Sequence, residues 1–221
     1  MFVKLFDSLF THPFHKDVWW KISSPVVAYQ PKGAVSLAAS YSNLVNPGTN
    51  DAALGVAPTW NATDGWIFNG STQYLSTGAL TLTGESTAII KFTGATLDSS
   101  IDYLFGEAVT NKLFKVGLYL SVGGQYRIYA SLGTETIYTV NETTSGILAL
   151  NKTGLYKDGG LLLDITDNVF TDSGGLFIGC LLGAGGSISN YSALNIQAFA
   201  LYDRALSAEE ILAVTRAMEV I

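Results

Sequence analysis

Between Trp66 and Tyr202 the chain repeats one local pattern, a short run alternating apolar with polar residues, closed by a glycine or a turn-forming Asn or Asp. A period of two sends successive side chains to opposite faces of a strand, whereas a helix would need apolar residues three and four apart. Ala88, Ile90 and Phe92 share a face in 86–93, and Phe114, Val116, Leu118, Leu120 and Val122 share one in 114–122. Further strands are expected at 125–130, 136–140, 147–150, 176–180 and 196–202. Asn69-Gly70 and Asp158-Gly159 supply the positive φ values of tight primed turns, so 66–75 and 155–163 read as hairpins. Between Pro25 and Pro58 the breakers Gly33, Pro47-Gly48 and Gly55 predict loops around short strands, with no helix. Many short strands joined by Gly-rich turns bury their apolar faces as a closed or two-sheet antiparallel structure.

The two ends differ from this middle. Phe2, Leu5, Phe6 and Leu9 stand at helical spacing before Pro13, and Phe14, Trp19 and Trp20 follow. Residues 1–24 are therefore expected to form an aromatic arm with a short helix. Its apolar groups Phe2, Leu5, Phe6, Phe14, Trp19 and Trp20 either pack on the protein's own sandwich or dock on a neighbouring subunit. His12 and His15, the two histidines, lack a nearby third ligand for a metal. At the other end Ser207-Ala208-Glu209-Glu210 has the form of a capping box, followed by a stripe of Ile211, Val214 and Met218. A short C-terminal helix is expected there.

Across 221 residues, 48% are hydrophobic and only 14% charged, which suits a single sandwich or a subunit of an assembly. The net charge of −6 is spread without basic runs, so nucleic acid is not an expected partner. No apolar stretch approaches the ~20 residues of a membrane-spanning helix, and Lys4 and Asp7 interrupt the apolar start, so neither membrane insertion nor a signal peptide is expected. The single cysteine, Cys180, lies in an apolar run and reads as a small buried hydrophobe.

Three segments carry a resemblance to a known family. Ile67-Phe68-Asn69-Gly70-Ser71-Thr72-Gln73-Tyr74-Leu75, then Gly154-Leu155-Tyr156-Lys157-Asp158-Gly159, then Ala198-Phe199-Ala200-Leu201-Tyr202-Asp203-Arg204-Ala205-Leu206-Ser207-Ala208-Glu209-Glu210-Ile211 occur in this order. Together they resemble the laminin-G-like, concanavalin A-like lectin and glucanase superfamily over roughly 29–218. The resemblance implies an all-β, two-sheet antiparallel jelly-roll sandwich at 25–221. Low-charge members of this kind are found in bacteriophage structural proteins, which points to a virion component.

Chemistry is sparse. Glucanases of this superfamily place glutamates two or four apart on one strand face, because acid and nucleophile must flank one glycosidic bond. Glu85, Glu107, Glu135, Glu142, Glu209, Glu210 and Glu219 contain no such pair, so catalysis is not expected. Asp164, Asp167 and Asp172 cluster after a strand and are candidate Ca²⁺ ligands, with turn capping as the plainer role; Asp98 and Asp102 flank another strand. Tyr119 alternates away from the apolar set of its strand, and Tyr129 shares parity with Arg127. Tyr119, Arg127 and Tyr129 are thus candidates for a glycan platform, set against simple covering of a sheet face.

These readings make the expected function that of a non-catalytic virion structural protein, a capsid decoration or tail-fibre part. It would contact other virion proteins or itself through the arm and sit on the particle surface. The alternative is a carbohydrate-binding or adhesion module that recognises cell-surface glycans.

Overall fold

The computed structural model describes residues 19–78, 80–107, 114–132, 134–141, 144–165, 171–172 and 175–221, with the backbone alone at 134–136, 171–172 and 184. In chain order a 3₁₀ turn at Trp19–Lys21 leads to β1 (Val27–Tyr29), α1 (Leu37–Ser40), β2 (Ala53–Val56), β3 (Thr59–Asn61), β4 (Gly65–Ile67) and β5 (Tyr74–Ser76). Next come β6 (Leu82–Thr83), β7 (Thr87–Thr93), β8 (Asp102–Glu107), β9 (Phe114–Leu120), β10 (Tyr126–Leu132), β11 (Thr134–Val140) and β12 (Gly146–Asn151). The rest are β13 (Gly154–Lys157), β14 (Gly160–Leu163), β15 (Thr171–Asp172), β16 (Phe177–Ile178), β17 (Leu181–Leu182), β18 (Ile188–Ser189), β19 (Asn195–Tyr202) and α2 (Ala208–Glu219).

These strands make the expected all-β sandwich. One sheet runs β14-β13-β12-β7-β19-β4-β3, with β1 also on β19; the other runs β11-β10-β9-β8-β16-β5-β2. Trp66, Leu75, Ile90, Phe92, Phe105, Phe114, Val116, Leu118, Ile128, Leu148 and Phe199 meet between the sheets, every one fully buried. Alternation explains the choice: in β7, Ala88, Ile90 and Phe92 enter this core while Ile89 enters a second one on the outer side.

The second core closes the outer face of the first sheet. Ile211, Val214 and Met218 of α2 lie with Trp19 over Ile89, Ala149, Tyr156, Ala200 and Tyr202. The capping box forms as expected: Glu210 N donates to Ser207 Oγ at 3.3 Å, and Ser207 N donates to Glu210 Oε2 at 2.9 Å. Arg204 and Ser23 also donate to this carboxylate, and the guanidinium of Arg204 foremost holds its pKa down at about 2. At the far end Lys91 Nζ donates to the carbonyls of Met218, Glu219 and Ile221 at 2.7, 3.2 and 3.1 Å, satisfying acceptors that the helix leaves open. Burial nonetheless lowers the pKa of Lys91 to about 8.

The structure departs from the expectations in several places. Asp158-Gly159 does form its hairpin between β13 and β14, with φ of 50° and 81°. Asn69-Gly70 does not: β4 belongs to the first sheet and β5 to the second, so the segment crosses between layers. Asn69 Oδ1 accepts from the backbone N–H of Ser71 and Thr72, while Phe68 N and Gly70 N donate to the carbonyls of Leu194 and Ser192. The segment's backbone bonds are thus met by the side-chain cap and the 192–194 strand approach, not by a partner strand. The stretch read as helix-free contains the one-turn α1, started by Ser36, whose Oγ accepts from Ala39 N. Val122 is 97% exposed at the β9–β10 turn. Of the arm, Phe2, Leu5, Phe6 and Phe14 fall outside the described residues; Trp19 is buried in the second core and its Nε1 donates to Gln30 Oε1, and Trp20 stands edge-on to it, half-buried. Among the described residues no helix is long and apolar enough to cross a membrane.

Candidate functional site

α2 and the Trp19 turn cover the first sheet, while on the outer face of the second sheet Lys115, Tyr129 and Ser131 are buried and the end that carries Tyr119 is open. Register fixes what it carries. Tyr119 of β9 stands opposite Arg127 of β10, which stands opposite Thr139 of β11. All three are one step out of phase with the core residues Leu118 and Ile128, so they form a row on the outer face. The Arg127 guanidinium lies 6.0 Å from the centroid of the Tyr119 ring, and its Nη2 donates to Gln125 Oε1 at 3.1 Å. Nε of Arg127 is withdrawn from water without a hydrogen-bond partner among the described residues, a state that costs on the order of 1–3 kcal/mol. Tyr119 and Arg127 are half-buried and Thr139 is exposed.

The row ends at a cleft of about 400 Å³ where the edges of the two sheets come together, lined by Tyr138, Thr139, Val140, Asn141, Lys157 and Leu162. Its polar groups are of complementary kinds: a hydroxyl at Thr139, an amide at Asn141, and an ammonium at Lys157 whose Nζ is 3.2 Å from Asp158 Oδ2. An aromatic face, a planar cation and a short run of neutral donors and acceptors can hold a sugar, whose ring offers C–H groups on its faces and hydroxyls around its rim.

Of the expected platform, then, Tyr119 and Arg127 are together at the surface, and Tyr129 is 5% exposed. Its ring stands edge-on to that of Tyr103 at 5.8 Å, and Lys115 Nζ lies 5.1 Å and 5.3 Å from the centroids of the two rings. Gly117 between them leaves the space that Tyr103 uses, since a Cβ there would fall 3.2 Å from Tyr103 Cδ1 and 2.6 Å from Ile101 Cγ2. Thr139, Asn141 and Lys157 were not singled out from the sequence. Thr139 could have been found by extending the parity count one strand further, but nothing local brings residue 157 to residue 141.

A second aromatic group on the same sheet also went unmarked. Tyr74 of β5 stacks on Phe177 of β16 at 5.8 Å and tilts against Tyr191 at 6.4 Å, all three half-buried. Both strand residues alternate with the core residues Leu75 and Ile178, which is the signal that would have found them.

The carboxylates are scattered. Asp164 is exposed, Asp172 has only its backbone described in β15, and Asp167 lies outside the described residues. Among the described residues no three His, Cys, Asp or Glu side chains gather as metal ligands. Asp98 and Asp102 interact as a pair: burial first, then the charge of Asp98, pushes Asp102 up to about 6, while a backbone donor at Ala193 opposes this. Glu85 pairs with Lys152 at the surface, and Glu107 is buried at the end of β8, far along the chain from either.

No family model and no curated protein matches the chain. Solved structures do. The chain is similar to Trypanosoma rangeli sialidase in complex with sialic acid at 16% identity and TM-score 0.59, covering 87% of this chain and 33% of that one. It is similar to domain 4 of AbnA, a GH43 extracellular arabinanase from Geobacillus stearothermophilus, in complex with arabinotriose, at 13% identity and TM-score 0.60; there the match covers 86% of this chain and 98% of that one. The binding domain of botulinum neurotoxin serotype G matches at 10% identity and TM-score 0.55 over 87% of this chain and 50% of that one. The chain spans about a third of the length of the sialidase chains it matches. At these identities the likeness is one of architecture, and it establishes the chain as a two-sheet antiparallel β-sandwich of the kind found in domains of sialidases and glycosidases.

Proposed function

We propose that the protein is a non-catalytic carbohydrate-binding module that holds a glycan on the outer face of its second sheet. The observation that carries this reading is the cross-strand row Tyr119, Arg127, Thr139 running into the cleft with Asn141 and Lys157, on the sheet face opposite the one covered by α2. Tyr119 supplies a stacking face, Arg127 and Lys157 charged donors, and Thr139 and Asn141 neutral ones. The likeness in fold to an arabinanase domain in complex with arabinotriose supports the same reading, since that match takes in 98% of the domain. The place on a virion that the sequence suggested, from the arm and the low charge, has less support: Trp19 of that arm is buried within its own chain, and the similar structures named above come from glycosidases and a toxin.

The test is a glycan array followed by calorimetric titration of the best binders. Saturable binding is expected, with a Kd between about 10 μM and 1 mM, the range of a small site with few charged contacts. Tyr119→Ala should weaken it about tenfold or more while leaving the melting temperature nearly unchanged, because the ring is half-buried on an outer face. Absence of any retained glycan at millimolar concentration would remove the reading. Release of reducing sugar from a bound glycan would overturn the word non-catalytic.

A further inference from the structure

The sheet face has an unbalanced charge at Arg127. In a chain with 18 acidic and 12 basic residues, four other cations are matched: Arg204 by Glu210, Lys152 by Glu85, Lys157 by Asp158, and Lys91 by three carbonyls. Arg127 has no carboxylate among the described residues; its one hydrogen bond is to the neutral Gln125. Its plane is steadied by the Tyr119 ring, and its buried Nε–H has no acceptor among the described residues. A guanidinium is charged at every physiological pH and offers paired N–H groups in a fixed fork, which match the two oxygens of a carboxylate. Across the strand from it stands Thr139, a wall of the cleft.

Resting on the carbohydrate-binding reading, we propose that the ligand is an acidic glycan, and that Arg127 takes the carboxylate of a sialic or uronic acid residue while Tyr119 and the cleft hold the sugar. A neutral sugar would leave Arg127 with nothing to neutralise it; a carboxylate supplies the counter-charge. Sulfate esters are also anionic groups of glycans that a guanidinium fork can take, and lactose 3′-sulfate in the experiment separates them from carboxylates.

The experiment compares acids with their own methyl esters on the full chain. Calorimetric titrations use 3′-sialyllactose and its methyl ester, cellobiouronic acid and its methyl ester, and lactose 3′-sulfate. One of the two acids should bind at least about tenfold more tightly than its ester, the advantage of a charge-assisted bidentate pair over a neutral contact, and its affinity should fall with added salt. Which acid does so identifies the source of the carboxylate. Arg127→Gln should bring that acid down to the affinity of its ester, and Arg127→Lys should restore only part of the difference, because a point charge cannot make the fork. Tyr119→Ala should weaken acid and ester alike.

Equal binding of each acid and its ester, or tighter binding of the sulfate than of either acid, overturns the inference and leaves the carbohydrate reading standing. Acid binding that survives Arg127→Gln overturns it as well. If neither acids, esters nor the neutral members of the array bind, the carbohydrate reading falls with it. The acid-to-ester ratio of the unaltered protein decides the matter even where a variant fails to fold.

Discussion

Asp102 and Glu210 are carboxyl groups whose pKa values shift in opposite directions. Asp102 opens β8 half-buried beside Asp98, and its pKa is raised to about 6 from the ordinary 3.8. The folded state therefore holds that proton to a higher pH than the unfolded chain, and stability falls as pH rises from about 4 to about 6. Glu210 is lowered to about 2 from 4.5, so its contribution is complete above about 4.5 and is lost as pH falls toward 2. Asp102→Asn should raise stability at pH 7 by about 1 kcal/mol, once the shift is discounted for the half of the group that water reaches, and should make no difference near pH 3. Thermal melts of the two proteins from pH 3 to pH 8 check this. A wild-type protein as stable as the variant at pH 7 would mean that neither burial nor the charge of Asp98 penalises the ionised Asp102.

At the scale of elements, the same dipeptide chemistry gave two outcomes. Asp158-Gly159 is flanked by strands that can pair with each other, and it makes the hairpin its φ preference favours. Asn69-Gly70 has equal local preference, but Ser192 and Leu194 take the backbone bonds that a hairpin would have used, and the chain changes sheet. Local sequence decides that a turn forms; which strands it joins is a tertiary matter. The same limit applies to the site. Parity read correctly that Tyr119, Arg127 and Tyr129 share a face, yet parity carries no information on cover, and Tyr129 is buried there. The cleft was illegible because it brings residues 138–141 to residues 157 and 162 across the edges of two sheets. Capping, in contrast, is local, and Ser207 and Glu210 were legible in full. The crossing of sheets also makes its neighbourhood intolerant. Gly65, which opens β4 with φ of 83°, has no room for a side chain, since a Cβ would lie 2.2 Å from the carbonyl oxygen of Ile196 in β19. Gly65→Ala combines a strained backbone with a clash against backbone, and should cost about 2–4 kcal/mol by denaturant unfolding. A loss under 0.5 kcal/mol would show that β4 and β19 can part at this pair without harm.

The whole molecule divides its labour between two outer faces. The first sheet is closed by α2 and Trp19, whose side chain is 1% exposed, so substitutions there act on stability. The second sheet presents Tyr119, Arg127 and Thr139, half-buried or exposed, so substitutions there should act on binding. Two stacked sheets about 10 Å apart separate the two sets, and changes that share no neighbour are expected to add. Trp19→Ala removes a buried indole and its hydrogen bond to Gln30, and should cost about 3–5 kcal/mol with the glycan affinity unchanged at temperatures where the variant is folded. Tyr119→Ala should do the reverse. In the double variant both losses should appear at their single-variant sizes, measured as a melting shift and a change in Kd on the same samples. Coupling of more than about 0.5 kcal/mol between them would mean that the packing of α2 on the first sheet reaches through the core to the ligand face, and that the arm beginning before Trp19 bears on recognition as well as on stability.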